Sequence, residues 1–155
     1  RLQLSIKADL ENITSLVPVD DFEYFFQVKC NSCNEIHPKL VSLNRQEERK
    51  LSGSKGSSAN FVWRCSMCKR ESSAKFETII TPYIAENEQY GPLLVLECRG
   101  LEFIGFNPKG VWKCIGTTGR VFPEVDLMGG EWNDYDESAA LPVGISEFGS
   151  RWSRV

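Results

Sequence analysis

Four of the six cysteines stand in two pairs of identical spacing, Cys30-Asn31-Ser32-Cys33 and Cys65-Ser66-Met67-Cys68. Two cysteines three positions apart on a tight turn offer two adjacent thiolates. A second such turn facing the first completes a tetrahedral shell for Zn2+, with sulfur at about 2.3 Å. Both pairs leave an aromatic stretch (FEYFFQVK and NFVWR) and enter a polar one, so each reads as a turn at the end of a β-hairpin. The spacer between them is longer than that of a minimal zinc ribbon and implies a hairpin plus a long loop. Lys29, Arg64, Lys69 and Arg70 flank the turns. Cations there lower thiol pKa values and offset the surplus negative charge that four thiolates leave on one zinc ion. The expectation is one structural Zn2+ per chain, held by Cys30, Cys33, Cys65 and Cys68 and contributing on the order of 10 kcal/mol to folding. Thiolates also favour Cu(I), the alternative occupant of such a site.

Other chemistries compete for these residues. A redox C-x-x-C normally opens a helix whose N-terminus depresses one thiol pKa. Neither pair here opens a convincing helix, and Pro38 soon interrupts the first. A catalytic zinc site would keep an open position and use fewer protein ligands. His37 could compete as a ligand but, beside Pro38, reads as a surface residue. Cys98 and Cys114 sit singly in apolar segments and read as small buried side chains on strands. Arg99 next to Cys98 is the one feature that could activate it. The stretch Glu131-Trp132-Asn133-Asp134-Tyr135-Asp136-Glu137 reads as a solvated turn anchored by Trp132 and Tyr135, or as a partner-binding surface with aromatic anchors. The loop SGSKGSS at 52–58 lacks the order of a phosphate-binding P-loop.

The elements that must position the cysteines are strands. Leu2, Leu4, Ile6, Ala8 and Leu10 alternate with polar residues, and Phe22, Tyr24, Phe26 and Val28 alternate in the same way into Cys30. Short strands are expected at 40–43 and 61–63. Ala74, Phe76, Thr78 and Ile80 alternate up to Pro82, and the apolar run 93–96 reads as a more buried strand. The polar stretch 44–50 is a candidate for one or two helical turns. Short strands punctuated by 12 Gly and 7 Pro give an all-β fold of antiparallel strands. One similarity is internal. Leu10-Glu11-Asn12-Ile13, followed by Leu16-Val17-Pro18, echoes Leu101-Glu102-Phe103-Ile104, followed by Phe106-Asn107-Pro108. It predicts two related β units around a shared core, 1–82 carrying the zinc site and 92–155, with the boundary within 81–92.

At 155 residues the chain fits one globular domain able to bury roughly two-thirds of its unfolded surface. A net charge of −3 disfavours nucleic acid as the main partner. No apolar run approaches the roughly 20 residues that span a bilayer. No secretory leader is visible, although the chain begins at Arg1. Paired C-x-x-C spacing, unlike a disulfide framework, indicates a reducing compartment: cytosol, or cytosol and nucleus.

The chain resembles the eukaryotic CXXC-motif-containing zinc-binding proteins, a domain-of-unknown-function family. The likeness runs through Leu10-Glu11-Asn12-Ile13-Thr14, both C-x-x-C turns, Gly56-Ser57, and Glu97-Cys98-Arg99-Gly100-Leu101-Glu102. It continues through Trp132 to Glu137 and ends at Val143-Gly144-Ile145. The resemblance implies a mostly β protein with a four-cysteine zinc site, and carries the ligand role onto Cys30, Cys33, Cys65 and Cys68. It supplies no reaction. The chain departs from the family pattern mainly between Phe103 and Phe122, which leaves Cys114 without a general role. The expected function is a non-catalytic, zinc-stabilised module that binds another protein. The first alternative is a thiol-dependent redox enzyme using Cys98 on a zinc-held β scaffold, by analogy with methionine sulfoxide reductases. The second is nucleic-acid binding through Lys29, Arg64, Lys69 and Arg70.

Overall fold

The period-two pattern at the start of the chain becomes β1 (Leu2–Glu11), with Leu2, Leu4, Ile6 and Ala8 buried on one face. The computed structural model describes residues 1–52, 56–84 and 89–155, so the middle of the expected 52–58 loop and part of the expected 81–92 boundary lie outside it. The described residues contain no helix. After β1 come β2 (Ile13–Pro18), β3 (Tyr24–Cys30), β4 (Val41–Leu43), β5 (Arg49–Lys50), β6 (Ser58–Ala59), β7 (Phe61–Arg64) and β8 (Glu71–Phe76). Then follow β9 (Tyr83–Ile84), β10 (Gly91–Arg99), β11 (Leu101–Asn107), β12 (Trp112–Gly116), β13 (Val121–Val125), β14 (Trp132–Asp136) and β15 (Leu141–Arg154).

Among the described residues every strand pairing is antiparallel. The main sheet runs β14-β15-β1-β10-β8-β7, with β1 and β10 at its centre. The apolar run expected to be a buried strand is β10, where Leu93, Leu94 and Leu96 are buried. Two smaller sheets, β11-β3-β4 and β13-β12-β2-β9, complete the body beside the short β5-β6 pair.

The core is aromatic. Phe26 packs edge-on to Trp152 at 4.8 Å and against Phe103 at 4.8 Å, while Trp112 meets Phe22 at 5.3 Å and Phe148 at 5.6 Å. Alternation along β3 buries Tyr24, Phe26 and Val28, and the same parity carries Cys30 into the buried face. The first half of the cysteine cluster is therefore placed by the core itself.

Two local expectations differ from the structure. The stretch 44–50 is turn followed by the two-residue β5, since a polar segment without an apolar face has nothing to hold a helix against the core. Asn44 instead caps a turn, its Oδ1 accepting from Gln46 N at 2.9 Å. The strand through Ala74 ends at Phe76, and Thr78 and Ile80 lie beyond it. Glu77 N and Thr81 N still bond Val95 O and Leu93 O, so the chain follows β10 without a regular ladder.

Candidate metal centre

Two turns build the cluster. The 65–70 turn closes the β7-β8 hairpin, whose last ladder pair is Arg64 with Glu71. Its backbone is fixed by Cys65 N donating to Arg70 O (3.0 Å) and Lys69 N donating to Cys65 O (2.9 Å), with Lys69 at φ 65. The 30–35 turn leaves β3 in the same manner. Cys30 N donates to Glu35 O (2.9 Å), Asn34 N donates to Cys30 O (2.8 Å), and Asn34 stands at φ 63. The bridge Lys29 to Ile36 makes this a short hairpin end. Both turns therefore close strand hairpins, as the aromatic-to-polar transitions indicated.

The four Sγ atoms lie within 4.8 Å of one another. Cys30 Sγ is 3.6 Å from Cys68 Sγ, and Cys33 Sγ is 3.7 Å from Cys65 Sγ. Four sulfurs at about 2.3 Å from a tetrahedral ion stand about 3.8 Å apart, so these two separations match those of a zinc-bound set. Cys30 and Cys65 are buried and Cys33 is exposed, placing the cluster at the rim of the core.

Backbone amides already favour thiolates. The Cys33 N–H, with the Ser32 N–H behind it, brings the Cys30 thiol down to about 7 against the opposing effect of burial. The N–H groups of Cys68 and Met67 lower Cys65 in the same way. Cys33 moves up to about 12: the Glu35 N–H favours its thiolate, but hydrogen bonds to Cys65, Cys30 and Cys68 and the partial desolvation of its sulfur beside them outweigh it.

The other candidate residues stand apart. His37 is half-buried, not on the open surface; its N–H bonds Val28 O at 2.9 Å and its ring lies edge-on to Trp63 at 5.8 Å. It is not in the metal-competent cluster. Cys98 is half-buried on β10, where burial pushes its thiol up to about 12. Arg99 is paired with Glu97 at 3.2 Å. Cys114 is buried on β12 and is likewise raised to about 12 by burial. Of the basic residues around the turns, Lys29 pairs with Glu102 (3.5 Å), Arg64 donates to Lys69 O (2.6 Å) and Lys69 donates to Ser66 O (2.7 Å).

The segment 131–137 carries edge strand β14 (Trp132–Asp136), not a loose turn. Trp132 packs edge-on to Phe122 at 5.4 Å, and Tyr135 is exposed. Asp136 is only 1% exposed. It accepts from Thr118 Oγ1 at 2.8 Å and from the N–H groups of Ser138 (3.0 Å) and Ala139 (3.3 Å). The sequence reading missed this role, because Thr118 lies 18 residues away on another hairpin. The only local signal is parity, which places Asp136 on the strand face of Trp132.

The chain is similar to known proteins along nearly its whole length. The family described as CXXC motif containing zinc binding protein, eukaryotic, matches residues 3–153. The chain is 39% identical to the CXXC motif containing zinc binding protein of Homo sapiens over 151 residues, 95% of this chain and 94% of that protein. The Xenopus laevis protein of the same description is 38% identical over 158 residues, covering 99% and 98%. The crystal structure of C1orf123 superposes with a TM-score of 0.93 at 37% identity, covering 99% of each chain. A hypothetical protein from Plasmodium falciparum shares the fold, with a TM-score of 0.89 at 24% identity over 98% of each chain. With four sulfurs within 4.8 Å of one another and the family match running nearly end to end, the chain belongs to the eukaryotic CXXC motif containing zinc binding proteins.

Proposed function

We propose that the chain is a non-catalytic module that binds another protein and is stabilised by one structural zinc ion on Cys30, Cys33, Cys65 and Cys68. The closed sulfur shell carries this reading: four Sγ atoms within 4.8 Å fill a tetrahedral ion and leave no position for substrate or water. A zinc ion there supplies four bonds tying the 30–35 turn to the 65–70 turn. The high pKa of Cys98 and the pairing of Arg99 with Glu97 also favour a non-catalytic role.

The surface beside the ion supports partner binding. Met67, between the two ligands of the second turn, is 66% exposed, and Ile36 beside the first turn is also exposed. A turn fixed by metal gives up little backbone freedom on docking, which suits it to present an apolar anchor. Lys69 and Arg70 next to it suit a partner with an acidic rim.

The test begins with metal content and thiol count on protein purified without added metal. One zinc per chain, with four thiols released only on chelation, is the expected result. Immobilised wild type and Met67→Asp are then compared at equal zinc content, and partner retention lost in the variant is expected. Reduction of an oxidised methionine substrate would put the redox reading first, and nucleic-acid binding that weakens steeply with salt would put the second alternative first.

A further inference from the structure

The strand order of the main sheet reads alike from both ends if β1 is exchanged with β10, β8 with β15 and β7 with β14. The same exchange, with β2 for β11, β3 for β12 and β4 for β13, turns the sheet β11-β3-β4 into the run β2-β12-β13. Loop details follow it. Asn12 and Gly100, at φ 55 and 80, link β1 to β2 and β10 to β11. Their carbonyls accept from Thr117 N (3.2 Å) and Asn31 N (3.0 Å), the residues directly after Gly116 and Cys30.

This correspondence places two further turns opposite the metal centre. The β14-β15 hairpin has the register of β7-β8, with Tyr135 opposite Pro142 as Arg64 is opposite Glu71. Ala140 at φ 54 stands where Lys69 has φ 65, so Asp136 corresponds to Cys65 and Ala139 to Cys68. In the other turn Gly116 N donates to Arg120 O (2.8 Å) and Gly119 N donates to Gly116 O (2.9 Å), repeating the bonds of Cys30 in a turn one residue shorter. Gly119, at φ 89, takes the place of Asn34, so Gly116 corresponds to Cys30 and Thr118 to Cys33.

The side chains meet as the sulfurs do. Cys33 approaches Cys65 at 3.7 Å; Thr118 Oγ1 donates to Asp136 Oδ2 at 2.8 Å. Asp136 Oδ1 accepts from the amides of Ser138 and Ala139, two and three positions ahead, the offsets at which amides favour the Cys65 thiolate. A Cβ on Gly116 would stand 3.3 Å from Asp136 Oδ2, so that position also aims at the centre. Arg120 Nη1 lies 3.7 Å from the carboxylate.

We infer that the 116–120 and 136–141 turns form a latent second metal site, held in this chain by the Asp136 carboxylate and the Thr118 hydroxyl instead of by an ion. One buried anion, bonded by a hydroxyl and two amides with a guanidinium beside it, does for this pair of turns what a thiolate-bound cation does for the other. The inference rests on the reading of the four cysteines as a metal centre and extends it to the second half of the chain.

The test supplies the missing ligands in the full-length protein. Residues 116–119 are replaced by the five residues 30–34, together with Asp136→Cys and Ala139→Cys, and zinc is counted by native mass spectrometry. Two zinc ions per chain, against one in the wild type, is the expected result. One ion in a folded variant overturns the inference while leaving the first centre standing; no ion in the wild type overturns the cysteine reading itself. If the graft does not fold, Asp136→Ala decides by hydrogen exchange. Exchange at Thr117, Gly119, Ser138 and Ala139 should quicken by about tenfold or more with the wild-type zinc content retained. Unchanged exchange there would show that the carboxylate does not staple the turns.

Discussion

Cys33 and Cys65 are 32 positions apart in the chain, yet their sulfurs stand 3.7 Å from one another across two turns that share no backbone hydrogen bond in the cluster. Nothing but side chains joins the turns at that point. Removing the metal, or one ligand, should therefore open this end first. Cys65→Ser is expected to lose the zinc and the sharp thermal transition together, since metal-binding energies of this kind rival whole-domain stability. Atomic absorption and a circular-dichroism melt on the same sample check it. A variant with full zinc and an unchanged melting temperature would exclude Cys65 as a ligand.

Cys98 should behave as a buried thiol. With its pKa pushed up to about 12 by burial, its thiolate fraction near neutral pH is small. Alkylation by iodoacetamide in the zinc-loaded protein is expected to be at least about a hundredfold slower than for free cysteine. Fast, selective labelling of Cys98 in mass-spectrometric mapping would revive the redox reading, since only a thiolate reacts at that rate.

The cysteine pairs and the strands leading into them were legible because each signal is local. Identical three-residue spacing marks the four cysteines that the fold gathers within 4.8 Å, and the alternation Phe22, Tyr24, Phe26, Val28 fixes which face Cys30 joins. The long β15 left no such trace. Its register against β1 shifts between Lys7 and Asp9, with Glu147 at φ 53, so period two breaks in its middle. The 44–50 stretch misled for the opposite reason: its composition tolerates a helix, while its turn is set by Asn44 contacts to Asp21 and Glu23 far back in the chain. Asp136 was hidden among neighbouring carboxylates, because the Thr118 hydroxyl that bonds it comes from another hairpin.

Asp136 gives the fold a pH dependence that can be assigned to one residue. The Thr118 hydroxyl, followed by the amides of Ala139 and Ser138 and the charge of Arg120, holds its carboxyl below the ordinary value. A depressed folded-state pKa means that the unfolded chain takes up the proton first. The stabilisation is thus complete above the ordinary carboxylate pKa of about 3.9 and is lost as pH falls through the folded-state value. Asp136→Asn should be less stable than wild type at pH 7 and should show a smaller decline below about pH 4. Urea midpoints across that range measure both. Parallel profiles for the two proteins would place the acid sensitivity elsewhere.

Gly110 tests how tightly the aromatic core is packed. It sits at φ 129, and a Cβ there would stand 2.6 Å from Cε2 of Phe22. That ring cannot simply retreat, because it is buried edge-on against Tyr24 at 4.8 Å and Trp112 at 5.3 Å. Gly110→Ala should therefore cost about 1–3 kcal/mol from overpacking alone, with backbone strain added. At this chain length that lowers the melting temperature by several degrees. Gly129 is the control, since a Cβ there meets nothing within 4 Å. Gly129→Ala should melt close to wild type. Equal melting of the two variants would mean that Phe22 yields without cost, and that the packing around Trp112 is looser than these distances indicate.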